Sequence, residues 1–302
     1  MSAVATSPFL DMHALASLAR MRFTTRQRIE GAYGGRHHSR VPGGAGEFSD
    51  FREYGEGDDF RRVDWKVLSR TGRAYVRVFH DETNLRCLVV IDASRSMQFG
   101  SDGRIKRRSK LEYVQLLATA LTYLVIRQQD QAGVAIVAKS LTKLVAPGGT
   151  NEHAAQVYEA IADIVPVQST QLSPGLAAVF QRVSRGGVLL VLSDFLVDDL
   201  DDAFAQIRLF RHRRWDVVVL HVIDPEEEQL PMGAAFRFEG LEGEGSVCCS
   251  PADIRDAYAK RFAAHAAMVR SMALAAGCDY HRVSTAVPYL GTLSRFLVAR
   301  SG

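Results

Sequence analysis

Two stretches of this chain are apolar at every position and then stop at acids. Residues 87–91 (Cys-Leu-Val-Val-Ile) run into Asp92, and residues 188–192 (Val-Leu-Leu-Val-Leu) run into Ser193 and Asp194. A short run that is apolar on both faces reads as a strand buried in a parallel sheet. Residues 133–137 and 215–222 read as further strands. Between these runs the period changes from strand to helix. Leu111, Val114, Leu117, Ala118, Leu121, Leu124 and Val125 recur at helical spacing, and helices are predicted over 152–164, 173–183 and 200–211. Ser173-Pro174 reads as a helix start with Ser173 as N-cap. Residues 141–145 follow the 133–137 strand after only Ala138-Lys139-Ser140, too short a link for a parallel crossover, so they are expected to form an antiparallel edge. Further on come a hairpin over 236–249, a long helix from Ser250-Pro251 to about residue 276, a short strand at 279–283 and a helix over 288–299. Strands alternating with helices predict an α/β fold, a doubly wound, mostly parallel sheet with one antiparallel edge strand and an N-terminal extension.

The region before residue 82 patterns differently. Residues 11–30 carry a helical stripe of Leu15, Leu18, Ala19 and Phe23 beside a basic face of Arg20, Arg22, Arg26 and Arg28. A solvated helix face and an anion-binding surface both fit that face. A glycine-rich break covers 41–46. Residues 48–66 are dense in Arg, Asp and aromatics without a helical or strand period. They read as a loop pinned by Arg–carboxylate pairs and aromatic packing, bracing the arm on the main domain. Residues 74–79 alternate as a half-exposed strand would. The expected division is residues 1–81 as arm and block, and 82–302 as the α/β domain.

Composition narrows the class. The chain has 302 residues, is 47% hydrophobic and carries a net charge of +3, too little to argue for a specific nucleic-acid partner. Cys87, Cys248, Cys249 and Cys278 form no C-x-x-C pair, which favours reduced thiols. No signal peptide is read at the start. The most apolar segment, 111–126, includes Glu112 and Gln115 and falls short of the roughly 20 apolar residues a membrane span needs. The expected location is cytoplasmic, with attachment to a complex peripheral to the inner membrane left open. No phosphate-binding G-x-x-x-x-G-K-[ST] occurs, so any ATP hydrolysis would come from a partner.

Candidate chemistry gathers at strand ends. Asp92, Ser94 and Ser96 follow the first apolar run, Asp194 follows the second, and Thr150 sits after Gly148-Gly149. Open α/β sheets bind ligands at the carboxyl ends of their strands. Carboxylates plus hydroxyls are hard oxygen donors, suited to Mg²⁺, with Mn²⁺ a second fit. An incompletely coordinated Mg²⁺ would present an open position to an incoming Asp or Glu. Asp92-x-Ser94-x-Ser96, Thr150 and Asp194 together resemble the metal-ion-dependent adhesion site (MIDAS) of von Willebrand factor A-like domains. The pattern Arg52-x-Tyr54-x-x-Gly57-Asp58-x-x-Arg61-x-x-Asp64-Trp65, followed by Arg70, resembles a bacterial family catalogued as domain of unknown function fifty-eight. That resemblance implies a von Willebrand factor A-like fold and a partner among the MoxR-type AAA+ ATPases. It also implies membrane spans ahead of the block in many members, which this sequence does not show.

The function expected from these features is a non-enzymatic, Mg²⁺-dependent protein-interaction module. It would act as an adaptor with a MoxR-type AAA+ ATPase in assembly or maturation of a protein complex. The alternative is a metal-dependent phosphatase or phosphotransferase with Asp92 as nucleophile. Ser94 stands where that chemistry places a second acid. A serine hydrolase is a weaker third reading, since neither Ser96 nor Ser193 lies in G-x-S-x-G.

Overall fold

The structure is a computed structural model. It describes residues 7–9, 22–24, 34–38, 47–55, 63–80, 82–83, 85–100, 108–168, 171–184, 186–230, 236–243 and 245–301. The chain divides into two compact units: Gln27–Leu85, and Met1–Arg26 together with Arg86–Gly302. The helix expected over 11–30 falls outside the described residues except for Arg22, Phe23 and Thr24.

In the smaller unit, β1 (Gly34–His38) pairs antiparallel with β4 (Glu82–Thr83), and β2 (Glu47–Glu53) pairs antiparallel with β3 (Tyr75–His80). Helix α1 (Trp65–Thr71) lies between β2 and β3 in the chain. Asp64 caps it, its carboxylate accepting the Lys66 and Val67 N–H groups at 3.0 and 3.2 Å, and Gly72 ends it at φ 70°, a left-handed turn that glycine adopts without strain. The irregular loop expected over 48–66 is therefore corrected at both ends. A main-chain ladder with β3 makes a strand of its start, where a register shift between Phe48 and Asp50 blurs the period of two. An N-cap makes a helix of its finish. Trp65 is 60% exposed, so its ring does not supply the aromatic packing expected of it. An Arg–carboxylate pair is present nearby between Arg73 and Glu53 at 3.7 Å, both exposed.

The larger unit is built on a six-stranded sheet. Its elements in chain order are β5 (Arg86–Asp92), α2 (Lys110–Arg127), β6 (Gln131–Val137), β7 (Leu141–Gly148), α3 (Asn151–Ala162), α4 (Ser173–Arg182), β8 (Gly187–Ser193), α5 (Leu200–His212), β9 (Trp215–Ile223), α6 (Pro225–Glu228), β10 (Phe236–Glu239), β11 (Ser246–Cys249), α7 (Pro251–Ala275), β12 (Asp279–Ser284) and α8 (Tyr289–Ser301). The sheet order is β12-β9-β8-β5-β6-β7. Every pair is parallel except β6 with β7. This is the doubly wound α/β fold with one antiparallel edge. Strands β10 and β11 form a separate antiparallel hairpin.

Alternation along the central strands feeds two cores. Leu88 and Val90 of β5, Leu189 and Val191 of β8, and Val217 and Val219 of β9 share one cluster with Leu176 and Val179 of α4, Phe204 and Ile207 of α5, and Val269 of α7. Cys87, Val89 and Ile91 are equally buried and, by the period of two, face the other side. Residues 87–91 of β5 and 188–192 of β8 are inaccessible on both faces, which is why those stretches read as unbroken apolar runs.

The start of α4 differs from expectation. Ser173 is its first residue rather than its N-cap, and Leu172 at the cap position makes no side-chain bond. Asp199, just before α5, caps it instead: its carboxylate accepts the Leu172 N–H at 2.9 Å and the Ser173 N–H at 2.6 Å. At the far end of the unit, Phe23 packs against Phe296 with ring centroids 6.1 Å apart, and the Thr24 hydroxyl donates to the Arg300 carbonyl at 2.9 Å. Phe23 and Thr24 are thus held by the larger unit, although the sequence reading grouped them with the arm.

Candidate functional site at the carboxyl edge of the sheet

The chain leaves β5 toward β6 and β7 on one side of the sheet, and later fills β8, β9 and β12 on the other. The crevice between β5 and β8 is therefore a topological switch point, the place where open α/β sheets form their sites. Ile91 lies beside Leu192, so Asp92 and the Ser193-Asp194 pair emerge side by side. Both acids are only 2% exposed.

The Asp92 loop is fixed from within. One Asp92 oxygen accepts the Ser94 N–H at 2.9 Å, and the other accepts the Ser193 hydroxyl at 2.6 Å. Ser193 Oγ in turn accepts the Phe195 N–H at 2.8 Å. Ser193 is thus a brace between the two strand ends. The hydroxyls of Ser94 and Ser96 stand 2.9 Å apart, with a short 3-10 turn (Arg95–Gln98) carrying the loop away. A second segment lies along this loop: Val167 pairs with Ser94, its N–H donating to the Ala93 carbonyl at 2.8 Å and its carbonyl accepting the Arg95 N–H at 3.1 Å.

Lys110 was not anticipated. It is the first residue of α2 and is completely buried. Its ammonium donates to Asp194 Oδ2 at 2.6 Å and to Glu227 Oε1. The other Asp194 oxygen accepts the Leu196 N–H at 3.1 Å. A cation is poorly placed at a helix N-terminus, so these two carboxylates are what hold it there. A capping box secures the turn: Ser109 Oγ accepts the Glu112 N–H at 3.1 Å, and Glu112 accepts the Ser109 N–H at 3.0 Å. The sequence signal was available, since Ser109-x-x-Glu112 directly precedes the apolar helix and places Lys110 inside its first turn. Glu227 carried the same signal, as the last residue of the capping box Asp224-x-x-Glu227 with Pro225 at the first helical position; Glu242, also buried near this edge, carried none.

The electrostatics separate the two acids. Burial pushes the Asp92 carboxyl up to about 6, with the neighbouring Asp194 charge adding to it, against the opposing hydrogen bonds from Ser193 and Ser94. Burial would raise Asp194 as well, but the Lys110 charge together with the hydrogen bonds from Lys110, the Leu196 N–H and Ser96 holds it below the usual carboxylate range. Lys110 moves the opposite way from what burial dictates, because Asp194 and Glu227 favour its charged form. Glu227 is raised by burial, which Lys110 only partly offsets. His221, beside Ser193 on β9, is lowered to about 4 by burial and stays a neutral imidazole, its Nδ1 2.9 Å from the Tyr280 hydroxyl.

Thr150 is not brought to this site. Asp92 is level with Val137 of β6, and Val137 with Leu141 of β7, but β7 then runs back antiparallel until Gly148 is level with Ala132. Thr150 follows at the amino edge of the sheet, roughly 17 Å of strand away at about 3.3 Å per residue. It is exposed and caps α3, its hydroxyl accepting the His153 N–H at 3.1 Å. The expectation that Thr150 joins Asp92 is corrected by the direction of β7. A turn residue after two glycines looked able to approach from the side, but the antiparallel strand delivers it to the wrong end. In the sequence, the segment that does lie along Ser94 continues into the hydroxyl residues Ser169 and Thr170, which are outside the described residues.

Of the family-motif residues, Asp64 is a buried helix cap, while Trp65 and Arg70 are exposed on α1. Tyr54 is half-buried, with its N–H donating to the Ala74 carbonyl at 2.9 Å. Arg52 lies on β2. Gly57, Asp58 and Arg61 lie outside the described residues.

No group of three or more His, Cys, Asp and Glu side chains among the described residues is arranged to hold a metal. A cation at this edge would therefore draw on hydroxyls. Asp92, Ser94, Ser96 and Asp194 fit that role. They are hard oxygen donors, and the loop hydrogen bonds leave lone pairs on each oxygen. Asp92, Asp194, Asp224, Glu227 and Glu242 are buried, and Lys110 is the buried ammonium near them. The excess of buried acid is an environment that added positive charge relieves.

Among solved structures, the chain is similar to the BatB protein of Bacteroides thetaiotaomicron, a conserved hypothetical protein, at 15% identity. That match covers 72% of this chain and 99% of the other, with a TM-score of 0.49. An aerotolerance-related membrane protein from Bacteroides fragilis matches at 16% identity over 72% of this chain and 100% of the other, with a TM-score of 0.46. The uncharacterized protein Rv1480 of Mycobacterium tuberculosis is 27% identical over 297 residues, 96% of this chain and 90% of that protein. The family described as "Protein of unknown function DUF58" matches residues 50–268. That span takes in the end of the small unit, the whole Asp92–Asp194 site and most of the long helix α7, and the chain belongs to this family.

Proposed function

We propose that this protein is a non-enzymatic, Mg²⁺-dependent protein-interaction module. Asp92, Ser94, Ser96 and Asp194 would hold the ion directly or through water, with Mn²⁺ as a substitute, and an Asp or Glu from a protein partner would complete its coordination. The observation that carries the reading is the Ser94–Ser96 hydroxyl pair, 2.9 Å apart, set between two buried carboxylates at the switch point of the sheet. Mg²⁺ binds through one or two carboxylates and retains several ligands from elsewhere, which matches a set of four without Thr150. The MIDAS resemblance rests on the same residues. A MoxR-type AAA+ ATPase is the proposed partner, with this chain as an adaptor in assembly or maturation of a complex. No helix among the described residues is long and apolar enough to cross a membrane. A cytoplasmic location, with peripheral attachment to the inner membrane, belongs to the same proposal.

The test is retention of the cognate MoxR-type ATPase by immobilised protein. Wild type and Asp92→Ala are compared, each with Mg²⁺ and with chelator. Retention is expected only for wild type with Mg²⁺; equal retention in all four conditions sinks the reading. Turnover of p-nitrophenyl phosphate that disappears in Asp92→Ala would assign the phosphohydrolase instead.

A further inference from the structure

The hairpin β10–β11 is not part of the six-stranded sheet. Its strands are four residues each and pair only with one another, a ribbon too small to be stable alone. Most of its residues are exposed: Arg237, Glu239, Ser246, Val247 and Cys248 all face solvent. Glu242, in the connecting turn, is the exception at 8% exposure, beside Leu241 at 39%. A carboxylate is the side chain least suited to be the buried one, because its desolvation is costly.

The turn delivers Glu242 to the candidate site. Its Oε1 accepts the Ser96 N–H at 3.3 Å across 146 residues of sequence. Its backbone carbonyl accepts the side-chain amide of Gln168, the residue after Val167, which pairs with Ser94. The hairpin tip is thus fastened to the same two segments that line the hydroxyl pair. The turn is shaped for this contact. The Gly240 N–H closes it on the Gly245 carbonyl at 2.8 Å. Gly243 has φ 98°, a conformation that side chains rarely adopt, and a Cβ there would displace the Gln168 side-chain amide that makes this bond.

We propose that Glu242 covers the open side of the Asp92–Ser96 cation site from within the chain. It supplies in cis the carboxylate that a partner would otherwise bring, so that a partner's Asp or Glu enters only when the hairpin lifts. This rests on the reading of the site as a Mg²⁺ site. An Asp or Glu side chain of a partner and the Glu242 carboxylate then compete for one position.

Three proteins test it: wild type, Glu242→Gln and Asp92→Asn. Each is titrated calorimetrically with Mg²⁺ alone, then with N-acetylglutamate amide in saturating Mg²⁺. Glu242→Gln should bind Mg²⁺ about tenfold more weakly, within the range for lost supporting groups at metal sites. It should also bind the capped glutamate where wild type does not. If Glu242→Gln matches wild type in both titrations while Asp92→Asn loses Mg²⁺, the cis cover is wrong and the site stands. Unchanged Mg²⁺ binding in Asp92→Asn overturns the site itself. Hydrogen exchange supplies a second readout. Mg²⁺ should slow exchange in residues 236–249 of wild type but not of Glu242→Gln, whereas a purely structural Glu242–Ser96 bond would protect the hairpin equally without metal.

Discussion

Asp92 and Asp194 are near-twins in position and opposites in charge state. Each follows an apolar strand, the strands are neighbours, and each acid is 2% exposed. Asp92 is surrounded by neutral donors, namely the Ser94 N–H and the Ser193 hydroxyl, and burial raises it to about 6. Asp194 touches the Lys110 ammonium and is lowered. Identical burial therefore gives opposite shifts, and the buried lysine is the largest contribution that sets Asp194 apart. The same comparison locates the responsive half of the site. Asp194 already has its counter-charge from within the fold, while Asp92 does not.

Removing that lysine is the strongest way to collapse the contrast. Lys110→Met leaves Asp194 and Glu227 buried without their cation, and breaking a buried pair in this way costs about 3–5 kcal/mol. Chemical denaturation at pH 7 should show that loss, and lowering the pH to protonate the two acids should restore part of it.

Asp92→Asn should act in the opposite direction. The Asp92 carboxyl is raised in the folded state above its usual value, so its neutral form is the one the fold favours. Its stabilising contribution is complete below the unfolded-state value near 4 and is lost as pH rises through about 6. Metal-free wild type should therefore lose stability from this group between about pH 4 and 6, on the order of 2–3 kcal/mol for a shift of this size. Asp92→Asn should be more stable than wild type at pH 7 without metal and equal to it at pH 4. A variant that is less stable than wild type at pH 7 would show that the Asp92 charge is already compensated.

The smallest expected effect separates the two edges of the sheet. Thr150→Ala removes a helix cap and should cost about 1 kcal/mol, with Mg²⁺ titration unchanged. A loss of Mg²⁺ binding in this variant would contradict the placement set by β7.

The apolar runs at 87–91 and 188–192 revealed the central strands because burial on both faces leaves no polar position to mislead. They also located the acids, since a strand that ends at its carboxyl edge must place the next residues there. Thr150 was misread even though the three-residue link makes residues 141–145 antiparallel: that direction itself carries the turn after β7 to the amino edge of the sheet, away from Asp92. Lys110 went unnoticed because a lone lysine at a helix start resembles a solvated residue; only the fold sets it against Asp194 and Glu227. Glu242 could not have been found from local pattern at all. It reaches Ser96 from a hairpin whose sequence says only that it turns. The small unit was hard for a related reason, as strand β2 is set by a ladder with β3 whose register shift breaks the period of two in its sequence.

The antiparallel edge has a consequence for how this protein behaves when concentrated. An open β-edge is a template on which a second chain can extend the sheet, the first step toward fibrous aggregation. Strand β7 presents an exposed Lys143 along that edge and places Pro147, which has no N–H to offer, near its end. Charge repels an approaching copy, and the missing donor interrupts the ladder it would need. The reversal that carries Thr150 away from the Asp92 site thus also provides the sheet with a margin that resists self-assembly.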